Sequence, residues 1–381
     1  MQRRIFDAHH EEFRASVRAF LAREVWPRGD TFAHERKFPR DLWLAAGRQG
    51  LLGLEVPERY GGGEAGDYRY NAVLIEELAH VNMALASSMS IHFDVVAPYL
   101  VHRTNEEQRR RWLPGFVTGQ TVTAIGMTEP STGSDLAALR TSAQRRGRGW
   151  VLNGSKTFIT NGHSANLVVV AARTTPGRRS EGITLFGVES SMAGFSRGRK
   201  LDKVGQPEAD TAELFFDNVY VPDDNVIGDL DGGFAHMRHG LAQERIGAAV
   251  ANLAHARQIL TETIDYTKQR HAFGRPVGSF QHNKFLIADL VTRMDVSQAY
   301  LDSCILAHAD DELSSVDAAK VKWWSAEVQN DVLDRCVQLH GGYGFMAEER
   351  VARAWRDARV TKIWAGSNEI MKEIIGRDIG L

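Results

Sequence analysis

The chain has 381 residues, of which 43% are hydrophobic and 25% are charged. A chain of this length forms two or three domains, and this composition is that of a folded globular protein rather than a fibre or a disordered chain. Its 46 basic residues nearly balance its 48 acidic ones, for a formal charge of -2. Because non-specific nucleic-acid binding depends on a basic surface field, we expect no nucleic-acid partner.

The start of the sequence and its cysteines give no sign of export. Cys304 and Cys336 are the only cysteines, and both lie in apolar helical patterns, which favours a reducing compartment. Residues 1–14 contain no apolar signal segment, and the longest apolar run, 167–172, is far shorter than a membrane span. We therefore expect a cytoplasmic protein that does not insert into a membrane.

Three regions differ in the spacing of their apolar residues. In residues 1–120 the spacing is helical, as at Phe13, Val17 and Phe20. Short apolar runs in 121–228 predict the strands of a small antiparallel β domain, and the helical spacing returns in 229–381. This order predicts an α+β fold, mostly α, in which a β domain lies between two helical domains.

Local signals refine the element boundaries. The dipeptides Asn153-Gly154 and Asp217-Asn218 follow the apolar runs 150–152 and 212–216, and such dipeptides are typical of turns. Residues 234–270 contain no proline, which predicts one long helix.

Two segments of the β region are candidates for binding a flat cofactor. In the Gly/Ser/Thr-rich loop 124–135, Thr128 and Ser134 offer hydroxyl groups to a phosphate or a heteroaromatic ring. In the segment 154–161, strand alternation places Phe158 and Thr160 on one face and Ile159 on the other. A plain loop and a half-buried strand are the alternative interpretations.

Two further candidates lie in the C-terminal region. Arg270 offers a planar guanidinium to a pyrophosphate, and Phe273 could cover an adenine or a flavin, although a cationic helix end has the same residues. Gly341 and Gly342, after Gln338, permit close backbone contact with a ligand or form a helix C-cap. His236 and His239 lack further ligands of suitable spacing, so we predict no metal.

Glu244 is the candidate for acid–base chemistry. Leu241 and Ala248 lie three residues before and four after it, so its carboxylate lies on the apolar stripe of the long helix. One interpretation is a structural pair with Arg245 or Arg238. The other is a desolvated carboxylate whose raised pKa suits a general base for a weak carbon acid.

The joint order and spacing of these motifs resembles the acyl-CoA dehydrogenase family over essentially the whole chain. The resemblance is greatest to the long-chain and isovaleryl-type branches, in the segments 3–6, 50–53, 127–130, 337–342 and 366–373. It implies an N-terminal α domain (1–120), a middle β-barrel-like domain (121–228) and a C-terminal four-helix bundle (229–381). It also implies bound FAD and a homotetramer built as a dimer of dimers.

The resemblance also assigns residues to the cofactor. Thr160 is expected near flavin N5, Arg270 at the pyrophosphate, and the segment 338–342 is expected to come from a neighbouring subunit. The implied FAD contacts are Ile125, Met127, Thr128, Ser134, Phe158, Ile159, Thr160, Arg270, Phe273, Gln281, Gln338, Gly341, Gly342, Ser367 and Glu369.

The resemblance gives the catalytic role to Glu244, because Ala365 stands where many members of the family have their glutamate. The implied substrate contacts are Ser134, Leu241, Arg245, Ala365 and Gly366. The implied reaction is FAD-dependent α,β-dehydrogenation of a medium- or long-chain acyl-CoA to the trans-2-enoyl-CoA, with electron-transfer flavoprotein as the acceptor. Alternatives are an acyl-CoA oxidase that uses O2, which the dehydrogenase-like length disfavours, and a non-catalytic acyl-thioester-binding paralogue, suggested by Ala365.

Overall fold

The structure, a computed structural model, describes residues 3–381. Its N-terminal part is helical. Asp7 caps the first helix by accepting hydrogen bonds from the backbone N–H groups of His9 and His10, and the helix buries Val17 and Phe20. The helices of this part are α1 (Ala8–Glu24), α2 (Gly29–Glu35), α3 (Arg40–Arg48), α4 (Arg69–Val81), α5 (Met83–Ser90), α6 (Ala97–His102) and α7 (Glu106–Val117).

A π-helical segment, Ile91–Val96, joins α5 to α6. The combined stretch Met83–His102 is long and apolar enough to cross a membrane, but 78% of its most apolar part is buried inside the protein. Such burial is typical of a core helix.

The middle part is an eight-stranded sheet in the order β6-β7-β3-β2-β4-β5-β8, with β1 paired to β4. The strands are β1 (Thr123–Gly126), β2 (Ser142–Arg145), β3 (Gly149–Thr160), β4 (Leu167–Arg173), β5 (Ile183–Glu189), β6 (Phe195–Lys200), β7 (Thr211–Pro222) and β8 (Val226–Ile227). The prediction of an antiparallel domain was wrong for two pairs, because β1 and β2 both run parallel to β4. Sequence patterns do not reveal pairing between strands that are distant in the chain.

The two dipeptides predicted to be turns lie inside long strands. β3 continues through Asn153-Gly154, and β7 continues through Asp217-Asn218. The register shifts between Leu152 and Gly154, and the Asn153 side chain accepts a hydrogen bond from the backbone N–H of Asn218. The turn prediction was therefore wrong, since these residues form a β-bulge in a tertiary pairing.

The C-terminal part is a bundle of long helices. The predicted helix 234–270 is observed as α8 (Gly233–Gln269), which packs on α4 and on α10 (Ser315–His340). The remaining elements are β9 (His271–Ala272), β10 (Arg275–Pro276), α9 (Gln281–Ala309), α10 (Ser315–His340), α11 (Arg350–Ala358) and α12 (Asn368–Asp378). Side chains from the N-terminal helices, α8 and α10 share one apolar core, so the two helical parts are continuous.

His92 connects the π-helical segment to the sheet. Its fully buried ring stacks on Phe116 with 3.7 Å between the ring centroids, and its Nδ1 atom lies 2.9 Å from Thr123 Oγ1. Burial lowers the pKa of His92 from 6.5 to about 3, so the folded protein holds the neutral imidazole.

We expect His92 to make the protein acid-sensitive. Its folded pKa lies below the unfolded value of 6.5, so its contribution is complete above that pH and is lost as the pH falls towards 3. In urea titrations, the difference in unfolding free energy between wild type and His92→Gln should narrow by about 2 kcal/mol from pH 7 to pH 5. A difference that does not change with pH would show that His92 is not the source of the acid sensitivity.

A buried ion pair holds the loop after β1 against β3. Lys156 is fully buried, and its Nζ atom lies 2.8 Å from Glu129 Oε1 and 3.2 Å from the carbonyl oxygen of Met127. The Glu129 carboxylate also accepts the backbone N–H groups of Arg140 and Thr141. The segment that carries Met127 and Thr128 is thereby fixed by charge as well as by packing.

Replacing Lys156 by Met should destabilise the fold strongly, because it leaves the Glu129 carboxylate buried without its cation. We expect a loss of about 3–5 kcal/mol in the free energy of unfolding. Arg110→Ala is the control, since it removes an exposed pair with Glu106 and should cost less than about 1 kcal/mol. Equal losses in the two variants would show that the buried pair contributes no more than a surface one.

Candidate active site

Glu244 is a half-buried residue of α8 with one carboxylate oxygen that is fully buried. Its Oε1 atom has no hydrogen-bond partner among the described residues. Burial is the main cause that raises its pKa from 4.5 to about 7, with the Arg245 charge opposing the shift and the Asp94 carboxyl adding to it. A carboxyl group with these properties can exchange a proton near neutral pH.

The structural pair that the sequence left open is not found. Within residues 3–381 no ion pair joins Glu244 to Arg245 or to Arg238, and Arg238 is exposed. Arg245 is buried, and its Nε atom likewise has no partner among these residues. Leu241, one turn earlier, is half-buried on the same helix.

Lys322 of α10 holds the turn that contains Ala365 and Gly366. Its buried Nζ atom donates to the carbonyl oxygen of Gly366 at 2.6 Å, and Ala365 and Gly366 have φ values of 52° and 87°. Burial first, and then the Arg245 charge, lower the pKa of Lys322 to about 8. The turn therefore lies within electrostatic range of Arg245.

Sequence reasoning did not single out Lys322. A signal was available, because the small residues Ala318, Ala319, Ser325 and Ala326 lie three or four positions from it, on the face that the structure buries. A lysine on that face must be paired or functional, since isolated ammonium groups are almost never buried.

The candidates for the flavin ring lie along the loop after β1 and the end of β3. The Thr157 backbone N–H donates to the Thr128 carbonyl at 3.0 Å, which brings Thr128 beside Phe158. Met127 is buried and Ser134 is exposed. Ile125 is half-buried on β1.

A second bulge shapes the end of β3. The register shifts between Lys156 and Ile159, and Phe158 has φ 58° and is 69% exposed. Such backbone conformations are strained for an aromatic residue and occur preferentially at functional sites. Thr160 is half-buried, whereas the Ile159 side chain lies in the β core, so only the backbone of Ile159 is available to a cofactor.

The candidates for the pyrophosphate line a separate cavity of about 740 Å³. Arg270 is the C-cap of α8, and Gly341 ends α10 with φ 61°. Phe273 and Gln281 lie nearby in the chain but do not line it, and Phe273 is 95% exposed. The lining residues are Tyr266, Arg270, Val277, His282, Asn283, Leu286, Gln338, Leu339, His340, Gly341, Gly342, Tyr343 and Met346.

These donors suit a dinucleotide with a flat ring system. Arg270 makes no ion pair among the described residues, and the side chains of Phe158 and Phe273 are exposed. The cavity is not lined by any flavin-ring candidate, nor by Ser367, which caps α12, or the exposed Glu369. This cavity alone therefore does not hold all the predicted contacts. Within residues 3–381 no group of three or more His, Cys, Asp or Glu side chains is arranged to hold a metal.

Known proteins are similar to this chain in sequence and in fold. Long-chain specific acyl-CoA dehydrogenase of Sus scrofa is 44% identical over 99% of this chain and 88% of its own length. Isovaleryl-CoA dehydrogenase of Solanum tuberosum is 36% identical over 98% of this chain and 91% of its own length. The crystal structure of acyl-CoA dehydrogenase from Geobacillus kaustophilus superposes with a TM-score of 0.98 at 41% identity and covers 100% of both chains.

Three family profiles match consecutive parts of the chain. They are the acyl-CoA dehydrogenase N-terminal domain over residues 7–120, the middle domain over 124–219 and the C-terminal domain over 231–380. The predicted family and fold class are confirmed. The chain belongs to the acyl-CoA dehydrogenase family, whose members are oxidoreductases.

Proposed function

We propose that the protein catalyses FAD-dependent α,β-dehydrogenation of a medium- or long-chain acyl-CoA to the trans-2-enoyl-CoA, and passes the electrons to electron-transfer flavoprotein. The Oε1 atom of Glu244, which is buried and has no partner among the described residues, carries this proposal. The names of the long-chain and isovaleryl-CoA relatives support an acyl-CoA thioester as the substrate.

Glu244 acts as the general base that removes the α-proton of the thioester. This proton is weakly acidic, so the base must hold it firmly once it is removed and yet be ionised at working pH. Burial of Glu244 provides the first condition, and the Arg245 charge opposes an excessive rise in its pKa.

The turn at Ala365 leaves room for this base. A methyl group cannot accept a proton, but it occupies little space, and the backbone N–H of Ala365 remains available to polarise the thioester carbonyl. Lys322 fixes the turn through the Gly366 carbonyl oxygen. The carbonyl donor is thereby preorganised rather than mobile.

The residues that would hold FAD fall into two groups. Thr128, Phe158 and Thr160 would contact the ring, and Arg270 and Gln338 would bind the pyrophosphate and adenosine side. FAD, when bound, supplies a ring that accepts the β-hydrogen of the acyl group as hydride. The exposed hydroxyl of Ser134 is available to cofactor or substrate.

We propose a homotetramer in which two copies of the chain complete each FAD site. None of the ring candidates lines the cavity that contains Arg270, which supports a site completed by a second chain. Exposed aromatic side chains near that cavity, at Phe273, Phe285 and Phe345, also support self-association.

The proposal is tested by anaerobic bleaching of the flavin absorbance with palmitoyl-CoA, octanoyl-CoA and isovaleryl-CoA. We expect at least one to bleach the wild type, and Glu244→Gln to bleach at least about 100-fold more slowly, because the amide cannot accept the proton. Glu106→Gln, at an exposed site on α7, is the matched control and should bleach at the wild-type rate.

Three outcomes would contradict parts of the proposal. Equal bleaching by Glu244→Gln would remove Glu244 as the base. A flavin-containing protein that none of the three thioesters bleaches would favour the non-catalytic binding paralogue. Stoichiometric peroxide formation on admission of air, faster than reoxidation by electron-transfer flavoprotein, would favour the oxidase.

A further inference from the structure

Asp94 contacts the turn of α8 that carries Glu244. Asp94 lies in the π-helical segment and is only 1% exposed. The Gln243 amide donates to its backbone carbonyl at 2.8 Å and approaches its Oδ1 atom at 3.3 Å. Asn71 of α4 donates to the same Oδ1 atom at 2.9 Å.

The other carboxylate oxygen of Asp94 lies against Gly247. A Cβ atom built on Gly247 would come within 2.4 Å of Asp94 Oδ2, so only glycine leaves room for the carboxyl group. Asp94 thus contacts the residue before Glu244 and the residue three positions after it. These contacts fix both the rotation of this helical turn and its distance from the π-helical segment.

We propose that Asp94 is a positioning residue, which orients the turn that bears Glu244 and, through its negative charge, favours proton uptake by Glu244. The inference rests on the proposed role of Glu244 as the base. A π-helical segment in a core helix is itself typical of functional sites.

Charges of both signs act on Glu244, and the effect of Arg245 is larger than that of Asp94. Arg245 is the cation that acts on Glu244, and it opposes Asp94. The titratable groups that face Asp94 and Glu244 from the neighbouring elements are Glu55, Tyr68, Tyr99, Arg245 and, through Gln243, His308.

Of these groups, only Glu55 is a further carboxyl group. Burial, aided by Asp94, raises the pKa of Glu55 to about 8, and burial raises the pKa of Asp94 to about 7. Burial also holds the pKa of both tyrosines well above the usual value and lowers that of His308, so these three groups are neutral near pH 7. Glu55, Asp94 and Glu244 therefore titrate as a coupled set.

The test is the pH profile of kcat/KM for Asp94→Asn. The asparagine oxygen still accepts from Asn71 and Gln243, so the variant removes the charge and preserves the contacts. Because the base must be ionised, activity rises with pH, and we expect this acidic limb to move to lower pH by about 0.5–1 unit and to become narrower. An unchanged limb, or one that moves to higher pH, would overturn the inference.

Asp357→Asn is the matched control. Asp357 is also buried, with a pKa raised to about 7 mainly by burial, but its carboxylate accepts from the Gln206 backbone N–H, and it is not among the groups facing Glu244. The acidic limb of the pH profile of Asp357→Asn should coincide with that of the wild type. If Asp94→Asn cannot be purified, Asn71→Ala takes its place, because it removes the hydrogen bond that favours the ionised form of Asp94, and the limb must again move to lower pH.

Glu244→Gln, measured in parallel, separates this inference from the proposed function. If that variant keeps a normal acidic limb, Glu244 is not the base and the proposed function fails at that step. If it abolishes turnover while Asp94→Asn leaves the limb unchanged, only the role of Asp94 fails.

Discussion

Burying the Oε1 atom of Glu244 without a hydrogen-bond donor is unfavourable while the group is charged, and this penalty determines the chemistry of the site. Several other buried charges of the protein avoid it by pairing, whereas Glu55, Glu208 and Arg245 also bury a polar atom that has no partner among the described residues. Lys156 contacts Glu129 at 2.8 Å, and Arg14 contacts Glu77 at 2.9 Å. Glu244 therefore differs from the structural ion pairs around it, as expected of a group that exchanges a proton.

The fold holds this carboxyl group between rigid elements. α8 is a single helix of 37 residues that packs on α4 and α10, and it carries Glu244 one turn before a stretch buried in the shared apolar core. Lys322 fixes the turn at Ala365 from α10, and Asp94 contacts α8 from the opposite helix. A base positioned by three packed helices loses little entropy when substrate binds.

Periodicity alone predicted α8 and the place of Glu244 on its apolar stripe, because both depend on local spacing. The parallel pairing of β1 with β4 and the bulge at Phe158 were not predictable, since each depends on strands that are distant in sequence. Asp94 was missed for the same reason, whereas Lys322 could have been noticed from the small residues around it on α10. Each is a polar residue in an apolar helix, and its role is visible only from the helix it faces. The cofactor assignments stay predictions.

The ionisation of Glu244 is the most direct measurement to make. Infrared difference spectra between wild type and Glu244→Gln, recorded as a function of pH in the absence of substrate, isolate the carbonyl stretch of the protonated carboxyl group. A band that disappears with a midpoint near pH 7 agrees with the raised pKa of about 7. A midpoint near the ordinary value of 4.5 would show that the carboxyl group is solvated or paired, and would contradict its role as a buried base.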